Sequence, residues 1–370
     1  MPLKMPSVTV AFKEAGITAI ERSERGIVLL ICEEASAKPP YICYTIDDIP
    51  EEAEDSTVEQ IKLALTGYQL APKHVKVYTI AKPTAAESET TAKQNYTTIL
   101  KEIENVRFDY LVIPGIADTD TDDIASWIKG MRTTKDTMVK AVLPNCNADN
   151  EGVINFTNTK IVTKEKEFTT AEYCSRVAGI IAGTPMTISC TYAPVPEVIE
   201  VENYTKDEMD SKVGKGEFFF FNDGEKIKVA RGVNSFVTTM QGKGEDFKKI
   251  KLVDIMDMIH DDIKKTGHDS YIGKYANSYD NRCLLITAIQ GYLDTLETEG
   301  LLERNQNTVY IDITAVKNWR ESNGLNTKAE LAVMKEQTIK ELNIHDNVFL
   351  AMDLSILDAI ENITVKATVQ

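Results

Sequence analysis

From Ile27 to about residue 190 the chain alternates short apolar runs with amphipathic runs, and this alternation constrains its fold most. The runs "IVLLIC" (27–32), "HVKVYTI" (74–80), "DYLVIPG" (109–115), "MVKAVLP" (138–144) and "GVINF" (152–156) read as strands. Between them lie segments with helical spacing. "STVEQIKLALTGYQL" puts Val58, Ile61, Leu65 and Tyr68 on one face, with Ser56 and Glu59 as an expected capping box. "AKQNYTTILKEIENV" aligns Ala92, Tyr96, Ile99, Leu100 and Ile103, and "DDIASWIKGM" aligns Ile124, Trp127, Ile128 and Met131. "TTAEYCSRVAGIIAG" carries Thr169 and Glu172 as a second capping box. Strands separated by helices predict a mainly parallel sheet covered by helices.

The pattern changes after "TPMTISCTYAPVPEVIEV". Pro185, Pro194 and Pro196 suggest a crossing or linker. "GEFFFFNDGEKIKVARGV" reads as a hairpin, with Asn222-Asp223-Gly224 as a tight primed turn. Two strong helices follow: "LVDIMDMIHDDIKK", with Leu252, Ile255, Met256, Ile259 and Ile263 on one face, and "RCLLITAIQGYLDTLETEG", with Leu285, Ile289, Tyr292, Leu293 and Leu296 together and Gly300 as its C′ residue. "TVYIDI" and "VFLAMDL" are strand candidates separated by a helix around "KAELAVMKEQTIKEL". A chain of 370 residues suggests about two domains. The expected plan is an N-terminal strand arm and linker (1–24), an α/β domain (25–190), an α+β C-terminal domain (191–360) and a C-terminal strand arm (361–370).

The residues that usually carry chemistry do not gather. No GxGxxG or GxxxxGK[ST] loop occurs, and "CEEASAKPPY" after the first strand is acidic and free of glycine. "DTDTDD" (118–123) has calcium-loop spacing at Asp118, Asp120 and Asp122, but Asp123 stands where a sharp turn wants glycine and Lys129 where a bidentate Glu is needed. Acids at a helix N-terminus are the better reading. Four histidines show no metal spacing, and six cysteines form no CxxC, so reduced buried thiols are expected and no zinc site or disulfide framework. No catalytic residue, cofactor or metal is expected. A formal net charge of −16 disfavours nucleic acid. The start, "MPLKMPSVTV", lacks an apolar signal core, and "GIVLLIC" is far too short to span a bilayer, so synthesis without a signal peptide and no membrane insertion are expected.

Both ends alternate like strands. "PSVTVAF" sets Val8, Val10 and Phe12 on one face, with Thr9 and Ala11 between them. "ENITVKATVQ" sets Ile363, Val365, Ala367 and Val369 against Thr364, Lys366 and Thr368. A terminal strand must pair its backbone somewhere. It either folds back on its own domain or adds to the edge of a neighbour's sheet.

The blocks "ERSERGIV", "DYLVIPG", "VKAVLPN", "TAEYCSRVAGIIAGTPMTISCTYAP", "GEFFFFNDGEKIKVARGVNSFVT", "FKKIKLVDIMDMIHDDI", "DSYIGKYANSYDNRCLLITAIQGYL" and "SILDAIENITV" together closely resemble the sheath proteins of contractile tails. The resemblance is to the compact form of Gram-positive myophages, defective prophages and phage-tail-like bacteriocins, and runs over essentially the whole chain. It implies a non-enzymatic structural subunit, made in the bacterial host cytoplasm, that ends in the tail of a particle released on lysis. Copies would stack as six-membered rings around an inner tube and contract to drive it through an envelope. The implied partners are other copies, the tail tube protein, and baseplate and tail terminator proteins. The implied inter-subunit arms are Val8–Phe12 and Ile363–Val369. Asp254, Asp257, Asp261 and Lys264 on the "VDIMDMIHDDIKK" helix are candidate tube-facing residues. The competing expectations are a soluble α/β enzyme with an unrecognised site and a non-contractile tail subunit.

Overall fold

The computed structural model describes residues 19–82 and 89–369, with side chains from 89 to 95 excluded. The chain forms two compact units. The larger comprises Arg22–Asp261 with Ile356–Gln370, and the smaller is built on Asp262–Ser355.

The larger unit contains β1 (Ile27–Glu34), β2 (Tyr41–Cys43), α1 (Asp55–Leu65), β3 (His74–Ala81), α2 (Glu89–Ile103), β4 (Tyr110–Val112), α3 (Thr121–Thr133), β5 (Lys140–Pro144) and β6 (Val153–Phe156). It continues with β7 (Ile161–Thr163), β8 (Glu167–Phe168), α4 (Thr170–Ala182), β9 (Val198–Val201), α5 (Lys206–Gly214), β10 (Glu217–Phe218), β11 (Phe220–Asn222) and β12 (Ile227–Val229). Helix α6 (Ile250–Thr266) runs through its end. The main sheet has the order β10-β6-β5-β4-β1-β3-β2, parallel except for β2. The expected mainly parallel sheet is therefore present.

The two-residue period of β1 divides its side chains between two cores. Val28, Leu30 and Cys32 pack with Ile61 and Ala64 of α1 and with Tyr173 and Val177 of α4. Ile27, Leu29 and Ile31 join Tyr96, Ile99 and Ile103 of α2 and Ile124, Ile128 and Met131 of α3. Ala92, predicted on the same α2 face, lies outside the described side chains. Close approach of α1 and α4 requires Gly179, since a Cβ there would sit 2.2 Å from the Ala64 carbonyl oxygen. The Thr169–Glu172 capping box forms as expected. The Ser56–Glu59 box does not: α1 starts at Asp55 behind Glu54, and the Glu59 carboxylate accepts from Lys166 at 2.6 Å.

The boundary expected at 190 does not coincide with the division between the compact units. The proline-marked segment is no free linker, because Ala193 and Val195 are buried in the β1 core and Val195 N–H donates to Ile227 O. Strand β10 then extends the main sheet, and Phe220 and Val229 enter the same core. The β11–β12 connection spans Asp223–Lys226 instead of a two-residue turn, because the Asp223 carboxylate accepts from both Glu225 N–H and Lys226 N–H.

The amino-terminal part of α6 is fixed by charge. Asp257 is buried and forms a two-point pair with Arg132 at 2.8 and 2.9 Å, while Lys140 Nζ reaches it at 2.6 Å. Lys140 also pairs with Asp254 at 3.0 Å, and Tyr110 Oη donates to Asp254 at 2.6 Å. Arg25 joins Asp109 to Asp261, each at 3.0 Å. Tyr110 and Lys140 open β4 and β5, so the cluster sits at the amino end of the parallel strands. Burial alone would raise the Asp257 carboxyl, but Lys140 and Arg132 outweigh it and hold the value at about 2.

The smaller unit contains α7 (Tyr279–Thr298), β13 (Thr308–Ile311), α8 (Ile313–Ser322), α9 (Lys328–Val333), α10 (Glu336–Glu341) and β14 (Leu350–Asp353). The helix expected around 328–342 is broken in two, with Met334 in extended backbone between the pieces. Ile311, Val316, Ile339 and Ile344 form a small core with Trp319 and Phe349 packed against it. Strands β13 and β14 pair antiparallel as a two-stranded sheet.

Replacing Asp257 with Ala leaves Lys140 and Arg132 buried without their main counter-ion. A loss of about 3–5 kcal/mol is expected, measured as a lowered urea midpoint of the full chain.

Candidate assembly site at the carboxy-terminal arm

The alternation in residues 363–369 does not produce a strand within this chain. These residues have no regular secondary structure, and no backbone hydrogen bond joins them to other described residues. Ile363, Val365 and Val369 are 79%, 80% and 95% exposed. A β-patterned segment with bare apolar side chains lacks both the pairing and the burial that its composition suits. Val8–Phe12, the predicted amino-terminal arm, lies outside the described residues.

The root of the arm is tightly held. Glu361 is the last residue before the exposed run, and its side chain is buried. Its Oε2 accepts from Arg231 Nη2 at 2.7 Å and Arg231 Nε at 3.0 Å, with Lys249 Nζ at 3.5 Å. Its Oε1 accepts from Thr191 Oγ1 at 2.7 Å and from Ser189 Oγ at 3.5 Å. The preceding residues are held as well: Lys249 also pairs with Asp358, and one further lysine, Lys251, donates to the Leu357 carbonyl. Burial would raise the Glu361 carboxyl, but the Thr191 hydroxyl and the Arg231 guanidinium prevail and hold it below the usual carboxylate range.

The structure changes the reading of the α6 acids. Asp257 is buried with both oxygens engaged, and Asp254 and Asp261 are committed to Lys140, Tyr110 and Arg25. These three side chains hold the helix to its own unit, so they are not an exposed face offered to a tube. Lys264 lies past the unit boundary and is half-buried. The anchoring residues Thr191, Arg231, Lys249 and Lys251 escaped the sequence reading. Their one signal is the abutment of acidic Glu361 on an apolar alternation; its partners lie 112 to 172 residues away, Lys249 and Ser189 marking the two ends of that range.

Glu361→Gln keeps the shape of the root and removes its charge. The root should weaken by about 1.5–3 kcal/mol, the size of hydrogen bonds to a charged group. Faster amide exchange at residues 356–361, with little change in the global unfolding midpoint, is the expected signature. Because the folded carboxyl lies below its unfolded value of about 4.3, this contribution is complete above that value and is lost as pH falls through the folded one. Protection of the root amides relative to their intrinsic exchange rate at each pH should fall in acid in the parent and stay nearly flat in the variant.

The same chain matches two family models, the phage tail sheath protein central domain over residues 89–235 and the phage tail sheath C-terminal domain over residues 242–370. The tail sheath protein of Clostridium phage phiCD119 is 38% identical over 365 residues, which covers 97% of this chain and 98% of that one. Among solved structures, the sheath tail protein from Desulfitobacterium hafniense superposes with a TM-score of 0.68 at 18% identity, over 83% of this chain and 94% of that chain. The anti-feeding prophage helical sheath in its contracted state gives 0.69 at 14% identity, over 99% of each. At such identities the structures speak to the fold, while the family models and the phage relative speak to descent. This chain belongs to the phage tail sheath protein family.

Proposed function

We propose that this protein is the repeating subunit of a contractile tail sheath, joined to its neighbours by exchanged strands. The observation that carries this reading is the carboxy-terminal arm, strand-patterned, exposed and anchored only at its root. In this reading copies stack as six-membered rings around an inner tube, with baseplate and terminator proteins at the ends. Contraction drives the tube outward. The structures of the anti-feeding prophage sheath and of a second extracellular contractile injection system sheath, both described as contracted, support it through their shared fold. The driving energy is then a metastable packing of subunits behind a barrier, so the stroke consumes no nucleotide.

The two-stranded β13–β14 sheet is the acceptor we favour for a neighbour's arm. Two strands alone make a marginal sheet. Asp312 N–H donates to Phe349 O, so by antiparallel alternation the N–H groups of Val309, Leu350 and Met352 point away from the partner strand. Gln290 Oε1 accepts the Val309 N–H on the β13 side. On the β14 side no third strand pairs among the described residues. An open edge of this kind is a template for strand addition. Each backbone bond there contributes only about 0.5–1.5 kcal/mol net, and ordering the arm costs about 1–2 kcal/mol per residue. Burial of Ile363, Val365, Ala367 and Val369 must supply the rest at about 25 cal/mol per Å². One arm is a modest tether; a lattice of them is strong.

Removal of residues 363–370 should leave a folded, soluble subunit that forms no tubes in electron micrographs, and tubes of normal length from the truncated chain would refute the arm's role. Met352→Pro removes one outward donor at an edge that tolerates proline. It should likewise abolish tubes while the thermal midpoint of the free subunit moves by no more than a few degrees, about 1 kcal/mol.

A further inference from the structure

Among the described residues, the smaller unit holds a buried positive charge without a carboxylate partner. Arg282, near the start of α7, is 3% exposed. Its Nε donates to the Ser278 carbonyl and its Nη2 to the Leu342 carbonyl, both at a long 3.3 Å. Its Nη1 is buried and has no hydrogen-bond partner among the described residues. Burial lowers its affinity for the proton, and only a thiol and a phenol, Cys283 and Tyr279, act in the other direction. The other buried arginines among the described residues, Arg132 and Arg176, are each paired with a carboxylate. A guanidinium left in this state is desolvated without a counter-charge among the described residues to offset it.

Arg282 lines a cavity of about 960 Å³ formed wholly within this unit. Tyr271 and Tyr275 stack on its wall, with centroids 5.4 Å apart, and Leu285 lies beside them. Ile272 and Val348 on the lining are conspicuously exposed. The backbone at Gly267–Tyr271 is a π-helical turn, a geometry frequent at functional sites. The one acid on the lining, Asp346, is exposed and accepts from the Asn347 amide, and it is not among the groups acting on Arg282.

We propose that this cavity is a docking socket for an Asp or Glu side chain of a neighbouring copy of the same chain, whose carboxylate completes Arg282 while its flanking apolar residues cover Ile272 and Val348. The inference rests on the polymeric reading given above. An apolar, aromatic wall around one guanidinium suits a carboxylate carried on a peptide better than a strongly hydrated free anion. A neighbouring copy supplies such groups in excess, having 57 acidic against 41 basic residues. The socket is separate from β14, so it would be a second contact, selective for charge where strand exchange is not.

The test uses the full-length protein. Benzoylphenylalanine at position 272, photolysed in assembled tubes, should cross-link to a peptide of a second copy that contains Asp or Glu. Cross-links confined to the same chain, or to a different protein of the particle, would overturn the proposal. Arg282→Met should leave the free subunit at least as heat-stable as the parent, because it removes a charge that lacks a counter-ion, yet reduce tube yield at least tenfold, with Arg282→Lys in between. If Arg282→Met forms tubes as readily as the parent, the socket is refuted while the sheath reading stands. If the parent itself forms no tubes and gives no cross-links between copies, both fail.

Discussion

The Asp257 cluster is the constraint around which the larger unit is arranged. A parallel sheet leaves the amino ends of its strands in need of cover, and α6 provides it by directing three acids at Arg25, Arg132 and Lys140. Burying such charges is poor value for stability alone, since well-packed apolar residues often do as well. What the charges supply is placement. An apolar stripe tolerates sliding by a turn, whereas a two-point Arg132–Asp257 pair with Lys140 on the same carboxylate does not. Helix α6 then continues past Asp261, where the larger unit ends.

The features that sequence made legible are those decided locally. Strand β1 announces itself because both its faces are buried, and the Thr169–Glu172 box because its two partners are three residues apart. The Ser56–Glu59 pair has the same spelling but loses to a longer-range competitor, Lys166, which takes the Glu59 carboxylate. The α6 acids look like a solvated face because their cations lie more than a hundred residues away along the chain. The proline-marked segment looks like a linker because proline signals extended backbone, and extended backbone can equally be threaded through a core, as Ala193 and Val195 are. The arm is the limiting case. Its alternation is plain in sequence, and no partner strand for it stands among the described residues.

The family assignment and the physical reading meet at this point. The chain has a sheet with a core on each face, and a smaller unit with a two-stranded sheet and a modest core. The arm, the open edge of β14 and the surroundings of Arg282 each present groups left without partners among the described residues. A subunit so divided can keep one body rigid while its neighbours change their contacts, because the groups that await partners are not the groups that hold the fold.

The anchoring of Glu361 also defines a mechanical path. A pull on residues 363–369 travels along the backbone to one carboxylate, where it is shared among Arg231 just after β12, Thr191 ahead of the buried Ala193–Val195 segment, and Lys249 at the start of α6. Three segments of the large unit are thus loaded in parallel by a single side chain. Force that enters through the exposed strap is divided among three segments of the larger unit before it can peel any one of them away.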